Sequence, residues 1–337
     1  MKHETKIGHR EALTLLVFIM SGKVFLQFPR DMASLGDGSG WIIVILTGIL
    51  ALVGFSFLYA LIRRFPSQDI IEICQTLTGN FIGTGAGVLF FLFFLITTSL
   101  FLRKFAESFI LAILPQTPIS VITAVFLILL MYGVFLGIET LSRVAWLYGP
   151  YLLGTLIIIL VFSLPNGSVL SLTPVLGKGP GSILKNSLTH VSMFSEILLL
   201  GLIAPLIRDK KKIFGVGFYS MGIAIIINTL VTMVVIFVFN YAGASEIIFP
   251  IFQLTRLITY GEFIQRVESI FVFLWFFAAG IELSGLFYGT VVGFAETFRI
   301  RNYRPLIIPI AVICFTISLI PPSMTDTIIL NDFVLSK

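Results

Sequence analysis

Charge is scarce in this chain: of 337 residues only 12% are Asp, Glu, Lys or Arg, while histidine occurs three times and cysteine twice. Each shortage excludes something. Cys74 lies in a polar connection and Cys314 deep in an apolar run, so they offer neither a disulfide framework nor the spacing of a metal site. Two of the histidines precede Arg10, which leaves no His, Asp and Cys constellation for catalysis. There is no phosphate-cradling glycine loop, no Gly-x-Ser-x-Gly elbow and no dinucleotide fingerprint. The chain is therefore not expected to be an enzyme or to carry a metal or cofactor. A net charge of +5 does not imply a nucleic-acid partner, because the basic residues fall in short segments between apolar runs. No low-complexity tract, long linker or soluble domain interrupts the chain.

What is abundant is hydrocarbon. Hydrophobic residues make up 57% of the chain and the mean hydropathy is +1.05, the composition of a polytopic membrane protein. In a bilayer the backbone must satisfy its own hydrogen bonds, and the long apolar runs lack the period-two alternation of a barrel, so the spans are read as helices. Runs of about 18 residues or more fall near residues 12–29, 41–62, 82–102, 118–136, 144–164, 188–207, 214–239, 269–294 and 306–320, about nine spans in one membrane domain over 1–337. The first carries no small-residue cleavage site and is not read as a removable signal peptide. The third is long enough to continue to Leu114 as a tilted helix, with Arg103 and Glu107 four apart and paired at its outer end.

Two connections carry structure of their own. Residues 67–80 place Ile70, Ile71, Cys74 and Leu77 on one face, as in a helix lying at the interface, and residues 241–265 are expected to form a second. Lys and Arg alternate between loops thirteen against eight. The clusters at 208–212 and 299–304 fall on the richer side, which puts the N-terminus in the cytoplasm and, with nine spans, the C-terminus outside.

Ionisable residues inside the apolar runs mark the candidate sites. Lys23 follows Ser21 and Gly22, a pair able to interrupt the helical ladder. An ammonium group at that depth costs at least about 2.5 kcal/mol unless something compensates it. The functional reading is an unwound helix whose lysine and freed backbone hold a carboxylate or carry a proton; the alternative is a snorkelling lysine on an unbroken rod. At the head of the sixth span, Ser192, Ser195 and Glu196 gather polar groups where a helix should be entering lipid. Their alternative is a solvated helix end, the favoured reading for His190. Glu282 sits in the middle of the eighth span and is expected to face Lys23 as an ion or proton site. Thr97 and Thr98 lie mid-span in the third helix, either touching a ligand or bonded to the preceding turn. Arg266 and Glu268 are read as an outer clamp, and Trp41, Trp146 and Trp275 as interface or packing residues.

Beyond these patterns, the block running Phe249, Pro250, Gln253, Arg256, Ile258, Gly261, Phe263, Arg266, Glu268 and Trp275, then Phe298, Tyr303, Pro305, Leu306 and Pro309, resembles the GerAB-type endospore germination permeases. Leu26, Phe28, Pro29 and Arg30 at the end of the first span, and Phe65 and Pro66 before the interfacial helix, agree. The resemblance implies an amino acid/polyamine/organocation fold of two inverted five-helix repeats, about residues 10–165 and 182–337. It also implies a substrate site at the breaks of helices one and six, and a place in the spore inner membrane or cell membrane as the B component of a germinant receptor. Its partners would be A-type and C-type subunits, and its ligand a small nutrient such as an L-amino acid. Carried onto this chain, the ligand-facing positions are Ser21, Gly22, Lys23, Ser192, Ser195 and Glu196, with Thr97 and Thr98. Two departures stand out: Lys23 replaces a small residue, and the tenth helix is expected to be missing. An autonomous proton-coupled amino acid permease is the rival function, and an inert structural partner a third.

Overall fold

The computed structural model describes residues 6–258 and 267–321, without the side chains of 267–270. Arg266, the side chain of Glu268 and the tail beyond residue 321 lie outside the described residues. Those described form helices throughout, with one isolated parallel bridge between Ile7 and Ile207.

Among the described residues seven stretches are long and apolar enough to cross a membrane: Phe28–Arg64, Ile70–Ala112, Ile119–Leu136, Ile138–Asn166, Pro180–Leu206, Lys210–Glu246 and Phe271–Thr297. The two further spans expected from the sequence are present as shorter pieces. The first splits into α1 (His9–Ser21) and α2 (Phe28–Gly36), and the last, Ile307–Leu319, has 13 residues. Positive φ at Asp37 turns α2 back into α3 (Gly40–Arg64).

The 43-residue α4 (Ile70–Ala112) would be far longer than a bilayer at about 1.5 Å per residue. It is instead divided at Gly79, whose φ of 81° and ψ of 168° break the helix. The piece before the break is the expected short helix, opened by a capping box in which Asp69 accepts from the Ile71 and Glu72 backbone and Glu72 reaches back to Asp69. Its faces differ from the expectation. Gln75 turns inward, donating to the Thr297 carbonyl, and Leu77 is exposed, because α11 (Val267–Thr297) offers a polar partner at its end. The piece after Gly79 reaches Ala112, as the continued third span predicted. Arg103 and Glu107 do pair, at 2.7 Å, and both are buried in the bundle.

After α5 (Ile119–Leu136) and α6 (Ile138–Ser163) the order of elements recurs. A second broken helix, made of α7 (Pro180–Thr189), the tighter turns Val191–Leu198 and α8 (Leu199–Ile203), is followed by the long α9 (Ile213–Glu246). The short α10 (Pro250–Leu257), then α11 and α12 (Ile307–Leu319), complete the series. A broken helix, a long helix, a short helix across the end and another long helix thus occur twice.

The broken first helix is the centre of the packing. Every residue from 14 to 29 is buried, the pattern of a helix surrounded on all sides. α6, α9 and α11 enclose it, while α5 and α6 keep Tyr132, Phe135, Leu147 and Ile157 on exposed faces suited to lipid. Small residues let α11 approach closely: Gly285 lies against Ile19 and Gly289 against Phe94.

Candidate functional site

The first helix breaks where its sequence allows. α1 ends at Ser21, Gly22–Phe25 tightens to a 3-10 turn, and Leu26, with a ψ of −138°, ends it. α2 restarts with Pro29 in its first turn, where the missing N–H costs nothing. Gly22 meets a second demand, since a Cβ there would overlap the Glu282 carboxylate arriving from α11. Asn228, in the middle of α9, donates its side-chain amide to the Met20 carbonyl at 3.3 Å. Around these few residues Ser21 Oγ, Asn228 Oδ1 and Glu282 Oε1 are buried without hydrogen-bond partners.

The sixth helix breaks opposite. α7 ends at His190 (φ −104°, ψ 21°), the chain tightens through Val191–Leu198, and Phe194 departs again from helical geometry. Ser195 Oγ donates to the Ser192 carbonyl at 2.5 Å. His190 Nδ1 lies 2.8 Å from the Asn186 carbonyl, so its ring is satisfied within its own helix.

Lys23 joins the two breaks. Its ammonium donates to the Met193 carbonyl and to both oxygens of Glu196, at 3.1 and 3.3 Å. The Phe194 ring lies 5.1 Å and the Phe28 ring 6.0 Å from the same nitrogen, within cation–π range. Lys23 and Glu196 are 7% and 3% exposed, so the lysine does not snorkel. Burying two charges is repaid only by good geometry and further hydrogen bonds, which the Met193 carbonyl supplies. The carboxylate that hydrogen-bonds the Lys23 ammonium is Glu196; Glu282, the partner expected for it, packs against Gly22, one residue away, close enough to act electrostatically on both Lys23 and Glu196.

The remaining expected residues divide. Thr98 Oγ1 meets Thr290 Oγ1 of α11 at 3.1 Å, whereas Thr97 Oγ1 is buried and unpartnered. Ser192 and Ser195 are half-buried on the sixth-helix break. Sequence reasoning missed Phe28, Phe194, the Met193 carbonyl and Asn228. Only Asn228 carried a signal, as an amide inside an apolar run. A crevice of about 30 Å³ beside Ser21 and Gly22, between α1, α6 and α9, has room for a water molecule rather than a solute.

Aromatic rings cover the site toward α10. Phe25 of the break lies 6.0 Å from Phe271, which stacks on Trp275, and Phe249 and Phe252 pack against these two. At the opposite, basic end, Ile7 exchanges backbone hydrogen bonds with Leu206 and Arg208, tying the start of α1 to the end of the sixth helix. A polar groove of about 720 Å³ opens at that end between the short helix and α11, lined by Glu72, Gln75, Asn80, Glu296, Arg299 and Arg301. Asp69, Glu72 and Glu296 bring carboxylate oxygens within 4.8 Å of one another there, though Asp69 is engaged as a helix cap.

Comparison with known proteins places this geometry. A family model described as spore germination protein matches residues 6–327. Spore germination protein A2 of Bacillus subtilis (strain 168) is 29% identical, over 98% of this chain and 90% of its own length. Spore germination protein KB of the same organism is 26% identical, over 91% and 82%. Among solved structures, MhsT in complex with L-phenylalanine superposes with a TM-score of 0.69 at 17% identity, covering 96% of this chain and 86% of its own. A Na+-coupled sialic acid symporter in a substrate-bound outward-open state does so with 0.67 at 11%, covering 98% and 76%. The architecture is that of an inverted-repeat transporter bundle.

Proposed function

The chain belongs to the spore germination protein family, and from that premise we propose that it is the B-type membrane subunit of a germinant receptor. It binds a small nutrient such as an L-amino acid between the breaks of helices one and six. The observation that carries this reading is the buried Lys23–Glu196 pair, which ties the two broken helices together at the level where both lose helical hydrogen bonding. The proposed ligand-facing positions are completed by Ser21, Gly22, Ser192, Ser195, Thr97 and Thr98, and a buried hydroxyl without a partner, as at Ser21 and Thr97, is a group that a polar solute satisfies.

Signalling then follows from the same elements. The Ile7–Ile207 bridge closes the basic end, which faces the cytoplasm in this reading. A ligand that binds one arrangement of the two breaks more tightly shifts the population toward it, and a near-complete switch needs about 5.5 kcal/mol of differential affinity. A-type and C-type subunits in the spore inner membrane receive the change. An autonomous proton-coupled permease is the second reading, favoured by one observation: Glu282, an acid with a buried unpartnered oxygen, sits directly on the break and suits a proton carrier.

Labelled amino acids offered to proteoliposomes containing this chain alone, alongside spores lacking it, separate the two. Nutrient germination lost on deletion, with binding but no net uptake in vesicles, is the expected result. Uptake driven by a proton gradient would establish the permease instead. Germination retained in a Glu196→Ala, Glu282→Ala double variant would leave only a structural role.

A further inference from the structure

From the surroundings of Lys23 we infer that the break of helix six is a primary-ammonium site, and that Lys23 is its tethered occupant, a built-in competitor of the ligand. This rests on the reading that the two breaks form the ligand site, and it names both the chemical class recognised and the residue that sets affinity.

The groups around the Lys23 nitrogen are those that recognise a free alkylammonium ion. The Met193 carbonyl and the Glu196 carboxylate accept its N–H groups, and the rings of Phe194 and Phe28 lie 5.1 and 6.0 Å away. Three of the four come from the sixth helix and the fourth, Phe28, lies beyond the break, so the cage is built largely apart from the side chain that fills it. Lys23 reaches it from the first helix, 173 residues away in sequence from Glu196. The crevice beside the break holds about 30 Å³. An amine ligand therefore has to take the place of the lysine rather than sit beside it.

Charge balance favours the exchange. A displaced Lys23 leaves one acid for another, because Glu282 lies against Gly22, the residue before it, with an unpartnered buried oxygen. The incoming ammonium takes Glu196 while Lys23 takes Glu282, whose carboxyl gives up its proton to water as the ammonium arrives, or the carboxylate of a zwitterionic ligand, and no buried charge is stranded. A tethered competitor acts at a local concentration on the order of millimolar or above, so only ligands that bring their own ammonium gain entry. The apparent affinity is lowered by the fraction of time the cage is filled by the lysine.

The test uses the full chain in detergent or nanodiscs and n-butylammonium as probe, with butyrate as the control of opposite charge. Removing the tether with Lys23→Ala is expected to tighten n-butylammonium binding at least about tenfold over the wild type, with no gain for butyrate. The gain should vanish in Lys23→Ala with Glu196→Gln. Should Lys23→Ala fold poorly, Lys23→Ser, equally short and uncharged, should show the same gain as thermal stabilisation by the probe. Equal binding by wild type and both single variants would overturn the inference, as would a gain that survives loss of Glu196. This readout needs no germination. Normal probe binding in a chain whose spores germinate without it would sink the receptor reading alone.

Discussion

The carboxylate of Glu282 occupies the space that a side chain at position 22 would need, so Gly22 and Glu282 interlock across α1 and α11. Glycine is required there by this close approach, since its backbone is in the ordinary right-handed helical region. Gly22→Ala must push the acid aside or open the helix pair, at an overpacking cost of about 1–3 kcal/mol. Thermal unfolding should show the loss, and Gly22→Ala combined with Glu282→Ala should cost less than the two single changes summed. Strict additivity would mean that the two residues do not meet.

The Lys23–Glu196 pair should behave as one unit. Glu196→Gln or Lys23→Met leaves a single buried charge, which destabilises by about 3–5 kcal/mol, whereas removing both together should recover much of the loss. A double-mutant cycle on melting of the purified protein measures the coupling. A double variant as unstable as the sum of the singles would disprove it.

Gly79 is held at a φ of 81° with open space where a Cβ would go, so its replacement is a test of backbone conformation alone. Gly79→Ala should cost about 1–3 kcal/mol, with faster amide exchange confined to residues near the kink. An unchanged exchange pattern would show that the chain bends elsewhere.

Arg299 fastens the short helix to α11 by donating to Gln75 Oε1 at 3.0 Å and to Asn80 Oδ1 at 2.6 Å, one partner on either side of that kink. Arg299→Ala should leave global stability within about 1–2 kcal/mol of the wild type while increasing exchange in residues 70–80. Exchange unaltered there would mean that the Gln75 bond to the Thr297 carbonyl holds the helix by itself.

Much of the bundle can be read from the chain because lipid leaves the backbone few options. Apolar runs become helices, and an interruption such as Ser21 and Gly22 shows as a polar, small-residue gap in one of them. The pairing of Arg103 with Glu107 was equally legible, since partners four residues apart share a helix face wherever the helix goes. Its burial was not, because that depends on what packs over it. The inward turn of Gln75 was hidden for the same reason: its partner is a carbonyl 222 residues away.

The identity of the acid that meets Lys23 marks the boundary. Composition and spacing placed a lysine and two glutamates in apolar runs or at their heads, and allowed an interruption of the first helix beside the lysine. Which glutamate receives the ammonium was decided by tertiary structure alone. Glu196 arrives with the unwound sixth helix, which also presents the Met193 carbonyl, while α11 packs so closely on Gly22 that Glu282 fills the notch left by the missing side chain. Local sequence carries the cost of burying a charge, but the position of its counter-charge is a property of how distant helices fit together.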